Sequence, residues 1–327
     1  FISFESDAKG VHHTQQQGRE NTADSRQSSL LESQHICRKD NNGIEEEDDS
    51  QTEDVYYVKQ QYGNLSIIFS GIQCLVLLIM MIQCGVSPLE INPMLGPYPD
   101  ALSYWGGKNA VLIIDENEWW RLVTPIFLHA GILHLVCNIA VQLESGAFFE
   151  REWGSGVWFV IYITSAVGSS ILSTCAMPNS ISVGSSGAVM GLFGGKLAEV
   201  FCRAYESRNT KQGRIGHEVR MEQLSGILCS VLMVGLMSFI PYVDWAAHLG
   251  GLVAGFTVGL VIFSFTIRKL AWTALWCILG MALTILSFVL AMTYMYTEVE
   301  PPHELNDVCG YYAQYFDDYE CHCQKGG

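Results

Sequence analysis

Charge is scarce over most of this 327-residue chain, and what exists is confined to a few places. Most acidic residues fall before Val55, between Asp100 and Glu152, or after Tyr296. Between them lie runs of about 20 mainly apolar residues, each long enough to cross a bilayer. A soluble domain spreads its charge, so this pattern excludes one and points to membrane insertion. Basic residues are scarcer still, 18 against 33 acidic, giving a formal net charge of −15. That surplus sits largely in the tails, as in Glu45 to Asp49 and Asp317 to Glu320, and describes solvated ends. No nucleic-acid partner is expected.

Other signatures are missing too. His217-Glu218 has no second histidine one turn later, which argues against a zinc protease helix. Asp40-Asn41-Asn42-Gly43 lacks the alternating ligand spacing of an EF-hand. There is no internal repeat of the kind transporters build from broken helices. No motif implies a metal, nucleotide or other cofactor, and none is expected. A polar arm stands ahead of the first apolar run, so that run does not read as a signal peptide.

What is present reads as an all-α, polytopic transmembrane helical bundle. Seven spans are expected, near Leu65–Gln83, Arg121–Leu143, Val157–Ala176, Ser186–Phe201, Leu224–Ile240, Trp245–Ile267 and Leu270–Tyr296. Residues 1–54, rich in Gln, Ser, Asp, Asn and Glu, read as a disordered arm. Residues 55–267 form the core, 268–296 an additional seventh helix, and 297–327 an acidic, cysteine-containing tail. The stretch from Gly85 to Trp120, with Pro88, Pro93, Pro97 and Pro99 and several tryptophans, reads as a structured loop partly in the membrane interface.

Lys and Arg cluster in the first arm, in the fourth-to-fifth connection (Arg203, Arg208, Lys211, Arg214, Arg220) and at Arg268-Lys269. The opposite side has little beyond Lys108 and Lys325, with Arg121 at a boundary. The bias predicts a cytoplasmic N-terminus and an exported C-terminus. Cys309, Cys321 and Cys323 then fall on an oxidising side, where one disulfide is expected and the pairing stays open. Cys84, beside the first span, reads as a small apolar residue.

Polar groups inside spans are costly and mark function, and here they are few. Span two carries His129, His134 and Asn138; span four opens on Gly184-Ser185-Ser186-Gly187; span six carries His248. At about 100° per residue, His134 and Asn138 share a face, while His129 sits at or above the helix start. His248, Gly251, Gly255 and Gly259 form one stripe, and Gly187, Gly191, Gly194 and Ala198 another. Such stripes let helices approach to backbone contact, so spans four and six should pack together and bring Ser186 to His248. A neutral imidazole at hydrogen-bonding distance can take a serine proton and make the hydroxyl nucleophilic. The Ser186 amide, the Asn138 amide and a His134 ring nitrogen could then serve the oxyanion. Each residue also has a plainer reading: Ser186 and its glycines as packing, His248 as a core histidine, His134 and Asn138 as partners of each other. Lys196 and Glu199 read as a snorkelling ion pair.

The serine site "VGSSGAVMGLFGG", the "HAGILHLVCN" of span two, the "EWWRLVTPIFLH" before it and the "AHLGGLVAGF" of span six resemble the rhomboid family of intramembrane serine proteases. Their order and spacing agree, from about Leu65 to Ile267. The extra helix at the end is similar to the six-plus-one layout of secretory-pathway members, as opposed to the mitochondrial type. The resemblance implies a serine endopeptidase with Ser186 as nucleophile, His248 as base without a third acid, and His134 with Asn138 around the oxyanion. His129, Gly184 and Gly187 would be supporting residues, and Glu150-Arg151 a structural step. One departure is Met190, where relatives can carry an aromatic that stacks on the catalytic histidine. Implied partners are the lipid bilayer and transmembrane substrates, of the type I single-span kind, cleaved in or near their membrane helix. The implied location is the secretory pathway: Golgi, endosome or plasma membrane. The competing expectations are a non-catalytic rhomboid-like chaperone or trafficking factor and a polytopic transporter.

Overall fold

In lipid a backbone must satisfy its own polar groups, so apolar runs become helices. The computed structural model describes residues 59–204, 211–237 and 243–323, all within the unit Asp54–Gly327. The expected arm over 1–54 lies outside the described residues, as do Arg208, Ile240 and Lys325. Among the described residues all repeating structure is helical, with one isolated bridge between Lys108 and Ser182.

The long helices are α1 (Asn64–Cys84), α4 (Ile132–Trp153), α5 (Ser155–Ala176), α6 (Ser186–Arg203), α7 (Lys211–Met237), α8 (Trp245–Ser264) and α9 (Leu270–Thr297). Short helices α2 (Pro99–Tyr104) and α3 (Ala110–Ile114) lie in the loop after α1, and α10 (Val308–Ala313) lies in the tail. Six helices among the described residues are long and apolar enough to cross a membrane, and α6 is not among them. Its 18 residues include Lys196, Glu199 and Arg203. The expectation of seven crossings therefore stands one above what length and composition support.

Lys196 and Glu199 are internal, whereas Arg203 at the end of the helix is partly exposed. Lys196 is 2% exposed and its Nζ donates to Glu152 (2.6 Å) and Glu199 (2.8 Å), while Trp153 Nε1 donates to Glu199 at 2.8 Å. Lys196 does not snorkel, contrary to the sequence reading. The ammonium is neutralised by two carboxylates, Glu199 buried and Glu152 partly exposed, so α6 can carry this charge yet stay enclosed.

The second span also differs from expectation. Trp119–Leu122 and Thr124–Phe127 fold as two short 3-10 turns, the second containing Pro125, and α4 starts only at Ile132. Proline lacks the amide that an α-helix interior needs. Pro125 instead opens a tight turn whose carbonyl accepts from Leu128 N (3.1 Å) and Gly184 N (2.9 Å). A π-turn at Gln142–Gly146 interrupts α4 where Gln142 donates to Ser70 Oγ (2.8 Å) and accepts from Tyr162 OH (2.8 Å).

Glycine sets how closely the inner helices approach. A Cβ on Gly251 would collide with the Gly187 carbonyl, and one on Gly255 with that of Gly191. One on Gly250 would lie 2.5 Å from the Gly168 carbonyl oxygen, so α8 presents small residues to α5 as well as α6. Outside this core α7 and α9 bury few of their residues, and Ile278, Ile285, Leu286, Val289 and Leu290 face outward from α9, as a lipid-facing helix requires.

The start of α1 is capped from another helix. Glu150, fully buried on α4, accepts from Leu65 N (2.8 Å), Ser66 N (2.9 Å), Ser66 Oγ (2.8 Å) and Ser155 Oγ (2.6 Å). These backbone donors have no partner inside their own helix. At the other end of α1 the tail is tied down covalently. Cys84 is joined to Cys323 and Cys309 to Cys321, with Cα separations of 5.5 and 5.7 Å. The expectation of one disulfide, with Cys84 merely apolar, is thus corrected: Cys84 supplies the partner for the odd tail cysteine. The tail reaches it because Tyr319 OH donates to Asp100 Oδ1 at 2.7 Å and Asn109 Nδ2 donates to the Leu305 carbonyl at 2.8 Å.

Candidate active site

Ser186 is the first residue of α6, so its amide is among those a helix start leaves without an intrahelical acceptor. His248 lies one turn into α8. The interlocked glycines bring these starts together, and Ser186 Oγ lies 2.9 Å from His248 Nε2. Both residues are partly exposed, so the pair is reachable. A cleft of about 490 Å³ opens beside it, lined by Met190, His248 and Leu252 on one side and Val231, Val234 and Gly235 of α7 on the other. Met190, the departure seen in the sequence, occupies the wall of this cleft.

His134 and Asn138 stand one turn apart on α4. His134 Nδ1 accepts from Ala130 N at 3.4 Å, which assigns the ring proton to Nε2. The ring faces Gly184: a Cβ there would lie 2.8 Å from His134 Cε1 and 3.0 Å from Nε2. Gly184 also has φ +122°, a conformation L side chains rarely adopt, so glycine is required twice over. Asn138 Nδ2 donates to the His134 carbonyl (2.9 Å), and Asn138 Oδ1 accepts from Ser185 Oγ (3.2 Å). The expected mutual bond across one turn is therefore to the His134 backbone, leaving the ring free to face Gly184. His129 is fully buried before the helix start; its ring sits 5.3 Å edge-on to that of His134, and neither of its nitrogens has a hydrogen-bond partner among the described residues.

Several polar residues here were not singled out from the sequence. Asp244 caps α8, its Oδ1 accepting from Ala247 N at 2.8 Å, and its Oδ2 accepts from Ser173 Oγ of α5 and Ser182 Oγ of the loop before Ser186. An acidic residue immediately before an apolar helix is the signal that could have found it. Lys108, 1% exposed, donates to the Met177 (2.8 Å) and Ser180 (2.7 Å) carbonyls of that same loop. Burial pulls its ammonium pKa down to about 8, opposed by the nearby Asp244 carboxylate. Arg121, also buried, donates to the Ser103 (2.6 Å) and Gly107 (3.0 Å) carbonyls and pairs with Glu118 at 2.6 Å, which stiffens the loop between α1 and α4. Among the described residues no group of three or more His, Cys, Asp or Glu could hold a metal ion.

These features define a multi-pass helical membrane protein with a serine and a histidine within hydrogen-bonding distance at one end of its central helices. Residues 116–265 match the Rhomboid domain family, so this segment of the chain is a rhomboid domain. It is similar to RHOMBOID-like protein 6, mitochondrial, of Arabidopsis thaliana, 35% identical over 180 residues, 54% of each chain. It is also similar to two Toxoplasma gondii proteins. Rhomboid-like protease 1 is 33% identical over 47% of this chain and 51% of its own length; Rhomboid-like protease 2 is 30% identical over 59% and 64%. The chain spans about half the length of the curated relatives it matches.

Proposed function

We propose that the protein is an intramembrane serine endopeptidase that cleaves single-span membrane proteins in or next to their transmembrane helix. The observation carrying this is the 2.9 Å approach of Ser186 Oγ to His248 Nε2 at a helix start. The protease names of the two Toxoplasma relatives support it.

In the first step His248 Nε2 takes the Ser186 hydroxyl proton as Oγ bonds to the scissile carbonyl carbon. The oxyanion forms beside the α6 start, whose unsatisfied amides favour negative charge. His134 Nε2–H, on the ring facing Gly184, and the second amide hydrogen of Asn138 are the side-chain donors we assign to it. The imidazolium then returns its proton to the leaving amine, giving an acyl-enzyme. Water, deprotonated by His248, attacks the ester, and Ser186 regains its proton.

A helix hides its carbonyls in its own hydrogen bonds, so the substrate must present an unwound stretch. Gly or Pro near its end makes unwinding cheaper. The apolar cleft between α7 and α8 suits such a segment arriving from lipid. Two disulfides at the Cys84 end support an oxidising, exported side there, with the N-terminus cytoplasmic, and a secretory-pathway location.

The test is co-expression of Ser186→Ala and His248→Ala with a panel of single-span reporters. Cleavage by the parent chain and none by either variant is expected. Cleavage at the parent rate by either variant would overturn the proposal.

A further inference from the structure

Asp244 touches α5, the loop before Ser186 and the start of α8, and the mechanism above does not use it. Its main-chain carbonyl accepts the amide of His248 (3.3 Å), and its Oδ1 accepts Ala247 N, so it sets where α8 begins. Its Oδ2 holds Ser173, near the end of α5, and Ser182, four residues before Ser186. The glycine stripes fix how far apart α6 and α8 lie, but the loop over 177–185, which delivers Ser186 to its helix start, is held by other contacts. One end of that loop is anchored by Gly184 N on the Pro125 carbonyl and the other by Lys108 on Met177 and Ser180. Its middle is joined to the histidine-bearing helix through Asp244.

From this geometry we infer that Asp244 is a positioning residue. Through Ser173 and Ser182 it locks the loop ahead of Ser186 to the start of α8 and so holds the hydroxyl within reach of His248. The inference rests on the proteolytic reading and deepens it. Asp244 is too far along the chain from Ser186 for this to be local stabilisation; the serine contacts span 62 and 71 residues. Misplacing a reacting atom by about 1 Å can cost about 100-fold in rate, so a loose loop acts on turnover more than on binding.

The experiment uses the full chain in detergent or liposomes with one single-span reporter, measuring kcat and KM separately, the labelling rate of Ser186 by a fluorophosphonate, and the thermal midpoint. Asp244→Ala should lower kcat and the labelling rate about 10-fold or more, with KM within about twofold. Asp244→Asn should restore most of both, because its Oδ1 still caps Ala247 and its Nδ2 can donate to the two serine hydroxyls. The Ser173→Ala, Ser182→Ala double variant keeps the cap intact and should lose kcat like Asp244→Ala. It decides the matter if Asp244→Ala fails to fold. A double variant with parental kcat and labelling would overturn the inference, as would equal losses in Asp244→Asn and Asp244→Ala. Ser186→Ala is run alongside. Cleavage by that variant would end the proteolytic reading itself, whereas an inactive Ser186→Ala beside a fully active double variant would sink only the role of Asp244.

Discussion

Gly251 meets the Gly187 carbonyl so closely that no side chain fits between α8 and α6, and the same two helices carry His248 and Ser186. Their hydrogen bond is therefore a property of the helix spacing. Gly251→Val should push the helices apart and lower reporter cleavage about 100-fold or more. Gly226→Ala on α7, where a Cβ meets open space, should keep activity and raise stability by up to about 1 kcal/mol. Initial rates and thermal midpoints check both.

Gly184 should be intolerant for a separate reason. Alanine there would hold φ near +122° and press on the His134 ring. Strain of about 1–3 kcal/mol is expected, with kcat falling while KM holds. A kinetic comparison with His134→Ala is informative, because an additive double variant would show that the ring is not the target.

Removing the Cys84–Cys323 link by Cys84→Ser should lower stability by about 2–4 kcal/mol. Peptide mapping without reductant should recover Cys84 with Cys323 and Cys309 with Cys321. Recovery of Cys84 as a free thiol would contradict the pairing and, with it, the orientation. Glycosylation acceptors placed in the tail test the orientation independently.

Lys108 carries a pH dependence with a definite sign. Its pKa is about 8 when folded and 10.5 in the ordinary case, so between these values the unfolded chain binds more protons. Stability from this residue therefore rises with pH from about 8 to 10.5, by at most about 3 kcal/mol, and is flat below that window. The difference in thermal midpoint between the parent and Lys108→Met, followed across pH 7 to 10, should move in favour of the parent. A constant difference would contradict it.

Periodicity made the small-residue stripes legible, since three, seven and eleven residues nearly complete whole turns, and with them the meeting of Ser186 and His248. The start of α4 was not legible. Arg121 to Leu128 is apolar enough to extend a span, and only the alternative use of the Pro125 carbonyl, accepting from Gly184, shows why it turns instead. Lys196 looked like a residue reaching for water because its second carboxylate, Glu152, is 44 positions away in the chain. Cys84 was opaque in the same manner, as were the Ser173 and Ser182 contacts of Asp244: these partners are brought by other elements, and no local pattern announces them.

The cap that Glu150 places on α1 links that helix to a residue 85 positions further along. At about 5–20 residues per second of synthesis, roughly 4–17 s separate the emergence of Leu65 from that of its acceptor. During this interval the leading amides of the first helix lack the acceptor that completes them. Assembly is thus ordered in time, with the first crossing completed only when the second arrives.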